Sequence, residues 1–192
     1  MNGLTFRGVM VLTAVAALSG CQPTEFDMAE MAAKQKAIPA EMKQLEVFLG
    51  KWTSTTETKM FGSDEVMKGS GTSEVKWELG GRYLVGHMTA DMGEWGSMEG
   101  VDVWTWDPSI KKYRTWWFDD WGMTGSSTAT YDPKTRTFRI KGRGRNTLDG
   151  STTVNKGMVT IVDDNTMEWS WAEYDALGLV KHFEMTGTEK RQ

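Results

Sequence analysis

Glu74-Val75-Lys76-Trp77-Glu78-Leu79-Gly80-Gly81-Arg82-Tyr83-Leu84-Val85 is the stretch whose reading decides the fold. Val75, Trp77 and Leu79 alternate with Glu74, Lys76 and Glu78, a period of two that sets apolar side chains on one face of a strand and charged ones on the other. Gly80 and Gly81 supply the positive φ angles of a tight turn, so 82–91 returns as the antiparallel partner. Outward from this hairpin the same period runs from Trp52 to the end of the chain. Trp106-Asp107-Pro108 and Tyr131-Asp132-Pro133 each place Asp-Pro between aromatic strand ends. Aspartate bonds its own turn backbone and proline presets φ, so both are turns. Strands are expected near 51–59, 70–79, 82–91, 98–106, 112–118, 124–131, 136–142, 151–162, 166–174 and 179–189, all joined by short connections. About ten sequential antiparallel strands leave two exposed edges unless they close, which predicts an all-β, up-and-down antiparallel barrel. A two-sheet sandwich would need longer crossings.

Ahead of the strands, Pro39 opens a short N-terminal helix whose apolar residues Met42, Leu45, Phe48 and Leu49 recur at helical steps, with Gly50 as its expected end. Leu49-Gly50-Lys51-Trp52, Leu79-Gly80-Gly81-Arg82-Tyr83-Leu84, Gly100, the aromatic-Asp-Pro turn at 106–108, Tyr113 and Trp116-Trp117 together resemble the bacterial family catalogued as domain of unknown function 1579. The resemblance spans roughly residues 40–190 and implies a lipocalin-like barrel without established catalytic residues or ligand. Gly50-Lys51-Trp52 also resembles the opening motif of lipocalins and fatty-acid-binding proteins. There the tryptophan closes one barrel end under a basic residue of the last strand, a place held here by Lys190 and Arg191. A cation over indole contributes on the order of 0.5–2 kcal/mol.

At the N-terminus, Arg7 precedes an apolar run over 9–18, about half the length of a bilayer-spanning helix, and the run ends in Leu18-Ser19-Gly20-Cys21. The four residues resemble the lipobox of bacterial lipoproteins, in which the cysteine is lipidated and becomes the first residue after cleavage. Cys21 is the only thiol in the chain, so it serves no internal disulfide. The expected organisation is a signal peptide at 1–20, a lipidated cysteine and tether at 21–38, and one barrel domain at 39–192. Several acyl chains on Cys21 would hold the protein to a membrane. Gln22 after the cysteine resembles the outer-membrane default of enterobacterial lipoproteins, so the expected location is the bacterial cell envelope, on the outer membrane facing the periplasm. Loss of Arg7 with the signal takes the formal charge from −4 to −5, and no basic cluster courts nucleic acid.

Ten tryptophans lie in the barrel segment, either as an aromatic core or as the lining of a pocket. Strand parity turns Trp77, Trp169, Trp171, Phe183 and Met185 inward, and these are the candidate ligand-binding residues. His87 and His182 have no partner at metal-ligand spacing, so no metal site is expected. Nitrobindin-like haem barrels share the Gly-x-Trp opening; His182 would be the axial residue in that less favoured reading. Asp119-Asp120 and Asp163-Asp164 are neighbours that point apart or sit in turns, unlike carboxylates converging across a cleft. No nucleophile elbow, phosphate loop or zinc signature occurs, so neither an enzyme nor a cofactor is expected. The leading expectation is an envelope lipoprotein that carries a small, mostly apolar ligand. The alternative is a structural or adaptor lipoprotein that binds another envelope protein or a glycan through its outer surface or loops.

Overall fold

The computed structural model describes residues 36–192; the expected signal peptide at 1–20, Cys21 and the expected tether up to residue 35 lie outside the described residues. Within them the strands are β1 (Gly50–Met60), β2 (Val66–Glu78), β3 (Tyr83–Asp91), β4 (Ser97–Asp107), β5 (Lys112–Asp119), β6 (Met123–Asp132), β7 (Thr137–Asn146), β8 (Thr152–Ile161), β9 (Thr166–Tyr174) and β10 (Lys181–Arg191). Each pairs antiparallel with the next, and β10 returns to β1 with Trp52 opposite Arg191 and Met60 opposite Phe183, closing the barrel. Closure removes both sheet edges. The fold is the expected lipocalin-like barrel. The outward positions of β1, Lys51, Thr53, Thr55, Glu57 and Lys59, are polar and exposed.

Turn chemistry explains the connections. Asp107 Oδ1 accepts from the Ser109 backbone N–H at 2.9 Å, Asp132 Oδ1 from Lys134 at 2.9 Å and Asp163 Oδ1 from Asn165 at 2.7 Å. Some boundaries differ from the sequence expectation: β10 spans Lys181–Arg191, β7 runs on to Asn146, and β2 begins at Val66, because 61–65 forms a compact hairpin in which the Ser63 N–H donates to the Met60 carbonyl. Gly69 and Gly71 occupy inward positions of that first part, where an apolar side chain would have marked a strand.

The N-terminal helix is a 3-10 helix, Ala40–Phe48, that buries Met42 and Leu45. It stops at Leu49, which is extended, so Gly50 is not its cap. Gly50 opens β1 at φ +113, and a Cβ there would meet the Arg191 guanidinium. This glycine is therefore required by the neighbour across the sheet as well as by its own backbone.

The helix plugs one end of the barrel. Met42, Leu45, Leu84, Trp104, Tyr113, Phe138, Ile140 and Ile161 form the core beneath it. Phe138 is the centre of an aromatic cluster, with ring centroids 5.2 Å from Phe48, 5.8 Å from Trp104, 5.5 Å from Tyr113 and 4.5 Å from Tyr131. Such pairs contribute about 0.5–1.5 kcal/mol each beyond their burial. The Tyr113 hydroxyl donates to the Glu41 carbonyl at 2.8 Å, tying helix to wall.

Candidate functional site

Directly opposite residues of an antiparallel pair share a face, so the register carries the inward direction of Trp52 around the whole barrel. At the plugged end the inward side chains are sealed: Trp52, Leu84, Tyr113 and Phe138 are at most 2% exposed. The seal is latched by Arg191, whose guanidinium lies 4.2 Å from the Trp52 ring centroid. It donates to the carbonyls of Leu49, Val47 (2.9 Å) and Asp164 (3.0 Å). Trp52 Nε1 donates to the Phe48 carbonyl at 2.8 Å. Lys190 pairs with Thr53 and faces outward with it, so Arg191 alone of the two candidates covers Trp52.

Farther along the axis the picture changes. Asp102, Trp117, Asp119, Trp169, Trp171, Glu173, Phe183, Met185 and Glu189 all occupy inward positions, yet each retains accessible surface. Away from the plug, therefore, the inward side chains are not fully sealed, and the space between them is called the lumen. Glycines make that room. Gly157 pairs with Trp171 and Gly187 with Trp169; a Cβ on either would overlap the indole, so each ring rests against the wall where its partner has no side chain. Gly100 leaves the same space for Trp117.

The lumen is acidic. Asp102 Oδ2 accepts from Trp104 Nε1 at 2.8 Å, directly above the aromatic floor. Burial pushes its carboxyl up to about 6, against that hydrogen bond. Glu189, on β10 between Ser54 of β1 and Met167 of β9, is pushed up to about 7 by burial and by the charge of Asp102. Glu173 is also raised, by burial, with the Thr153 hydroxyl and His182 acting against it. Asp119 is held structurally: its oxygens accept from Trp117 Nε1 and the Met123 backbone, each at 2.8 Å. No lysine, histidine or cysteine occupies an inward strand position among the described residues. The buried Trp169 Nε1 has no acceptor.

All five candidate ligand residues face inward, but at different depths. Trp77 and Trp171 pack against the closed-end core, whereas Phe183 pairs with Met60 and with Glu173 near the other end of the strands. His182 is exposed at a β10 irregularity near that rim, with Nδ1 3.9 Å from Glu173, and His87 is exposed on the outer face. Neither presents an imidazole from an inward position, so the residues do not fit an axial ligand for a group in the lumen. Asp120 accepts from the Glu99 backbone at 3.0 Å, and Asp163 and Asp164 stay in their turn, so neither of the two adjacent acid pairs converges on the lumen. No group of three or more His, Cys, Asp or Glu among the described residues could hold a metal ion. Sequence reasoning missed Asp102 and Glu189. The available signal was parity: Gly100-x-Asp102-x-Trp104-x-Trp106 shares one face, as does Phe183-x-Met185-x-Gly187-x-Glu189.

The family model described as protein of unknown function (DUF1579) matches residues 39–188, and the chain belongs to that family. Among solved structures the barrel is similar to Rv2717c from M. tuberculosis, at TM-score 0.62 and 12% identity, covering 81% of this chain and 99% of that one. It is also similar to the S-type phycobiliprotein lyase CPES from Guillardia theta, at TM-score 0.53 and 10% identity, covering 83% and 96%. At such identities the likeness establishes the fold. No curated protein matches the sequence.

Proposed function

We propose that this DUF1579 member is an envelope-tethered lipoprotein that binds or carries a small, largely apolar molecule in the open part of its barrel. One observation carries the reading. Inward side chains are sealed at the plugged end, yet Trp117, Trp169, Trp171, Phe183 and Met185 keep accessible surface while facing the axis. An apolar concavity with a few polar groups is the usual form of a small-molecule site. Carriage is favoured over catalysis because the inward strand positions among the described residues hold no histidine, lysine or cysteine, which leaves no nucleophile of those types facing the axis. Attachment rests on the lipobox-like Leu18-Ser19-Gly20-Cys21, and Gln22 favours the outer membrane facing the periplasm.

The test is titration with the uncharged apolar fluorophore N-phenyl-1-naphthylamine, read by quenching of tryptophan emission. Saturable binding weakened about tenfold or more by Trp169→Ala or Trp171→Ala is expected, the effect of truncating an aromatic side chain at a binding hot spot. Binding that ignores both substitutions, or no binding, overturns the assignment of the lumen as the site.

A second reading, an adaptor that engages a glycan or protein partner from outside, is favoured by a groove of about 660 Å³ on the β8–β9–β10–β1–β2 wall. Thr55, Thr160, Ser170, Thr186 and Thr188 line it beside Glu57 and Lys68, and the register places all of them on the outer face. Hydroxyl-rich walls suit polar partners better than apolar ones.

A further inference from the structure

We propose that the occupant of the lumen is an organic cation, an amine or quaternary ammonium on an apolar or aromatic body, held between the carboxylates of Asp102 and Glu189 and the indoles of Trp117, Trp169 and Trp171. The inference rests on the lumen-binding reading above and adds the charge of the ligand.

Among the described residues four acids occupy inward strand positions, Asp102, Asp119, Glu173 and Glu189, against one inward cation, Arg191, which is spent on Trp52 and on the carbonyls of Val47, Leu49 and Asp164. Two of the acids have local partners. Asp119 is bonded by Trp117 Nε1 and the Met123 backbone, and Glu173 lies beside His182 at the rim. Asp102 has one side-chain partner, Trp104 Nε1 on Oδ2, while its Oδ1 fills the space over Gly86. Glu189 has neither a hydrogen bond nor an ion pair among the described residues; its electrostatic neighbour is Asp102, which repels it. An unpaired carboxylate inside a protein is costly unless something supplies positive charge or donors. A pocket for a neutral or acidic lipid would be better built without it.

The aromatic surface points the same way. Trp117, Trp169 and Trp171 lie over Gly100, Gly187 and Gly157, which rests each indole on the wall and leaves ring surface toward the axis. Indole is the strongest π partner for a cation, and aromatic walls with carboxylates are the general chemistry of ammonium recognition. The Trp169 indole N–H is buried against Gly187 without an acceptor among the described residues.

The experiment uses three probes sharing one ring system: 1-naphthylmethylammonium, 1-naphthylmethanol and 1-naphthoate, titrated calorimetrically into the folded protein at pH 8. The ammonium should bind at least about tenfold tighter than the alcohol, and the carboxylate should bind more weakly than both. Glu189→Gln and, separately, Asp102→Asn should bring the ammonium to the level of the alcohol while leaving the alcohol within about twofold. That split is one which mere loss of structure would not produce. Lowering the pH from 8 to 5 protonates a group near 7 almost completely, so the ammonium should weaken by up to about 100-fold and the alcohol should not. If the alcohol or the carboxylate binds as tightly as the ammonium, or if Glu189→Gln leaves the preference intact, lumen binding survives and the cation assignment falls. If none of the three binds, the lumen reading fails and this inference with it.

Discussion

Replacing Glu189 by glutamine should make the protein more stable at pH 8 and leave it unchanged at pH 4.5. The folded-state carboxyl sits at about 7 against an ordinary value of 4.5, so the folded chain holds its proton more tightly than the unfolded chain. Below pH 4.5 both states are protonated and the group costs nothing. As pH rises through 7 the wild type must ionise an acid that is buried near the Asp102 charge, and stability falls by about 1.4 kcal/mol per unit of difference, in all about 3 kcal/mol. The groups around Glu189 do not cancel this: its cross-strand neighbours Ser54 and Met167 are uncharged, and Arg191 is committed to Trp52. Glutamine is nearly isosteric with the neutral acid and removes the penalty. Urea unfolding at pH 4.5, 6 and 8 reads the effect; with a slope of about 2 kcal/mol/M the midpoint of the variant at pH 8 should move up by about 1.5 M. Asp102, pushed up to about 6, leaves a smaller residual slope. A Glu189→Gln protein that is less stable than wild type at pH 8, or that gains equally at every pH, would refute the reasoning.

Arg191→Lys keeps the charge but loses the planar fork that serves Trp52 and the carbonyls of Val47 and Leu49, so a loss of about 1–3 kcal/mol in denaturant unfolding is expected; a change below about 0.5 kcal/mol would mean that the latch holds nothing. Gly187→Ala puts a methyl where the Trp169 ring lies and should cost about 1–3 kcal/mol with a shifted tryptophan emission spectrum, whereas an unshifted spectrum would place that ring elsewhere. Cys21→Ser should move the protein from the membrane pellet to the soluble fraction with the unfolding midpoint of residues 39–192 unaltered; a variant that still pellets after a high-salt wash is anchored by something other than the lipid.

The strands were legible because their signals are local. Asp-Pro and Gly-Gly turns and the alternation in Glu74–Trp77 act within a few residues, so each of the ten expected strands has its counterpart, with ends shifted by two to four residues in β2, β7 and β10. The first residues of β2 were not legible, since Gly69 and Gly71 stand at inward positions and carry no hydropathy signal. Spacings of three and four fit a 3-10 helix as well as an α-helix, and the sequence could not tell that Gly50 makes room for a guanidinium from the far end of the chain. Lys190 and Arg191 could be separated only by register, which is fixed when β10 closes onto β1.

The site itself shows the limit of hydropathy as a guide. Parity turned Trp77, Trp169, Trp171, Phe183 and Met185 inward, but depth along the axis depends on how neighbouring strands are staggered, and that staggering sets Trp77 in the floor and Phe183 toward the rim. Asp102 and Glu189 obey the same parity and were overlooked because an acid in a strand is ordinarily evidence for the wet face. In a filled barrel that inference is sound. It fails in a barrel whose inward positions include Gly69, Gly71, Gly86, Gly100, Gly142, Gly157 and Gly187, because so many missing side chains leave a wall that is itself partly wet. Glycine on the inward parity is thus the sequence signal that should have reversed the reading of the acids. Where it coincides with acid and tryptophan on one face, as in Gly100-x-Asp102-x-Trp104, the acid belongs with the inward set, and the ligand proposal rests on that assignment.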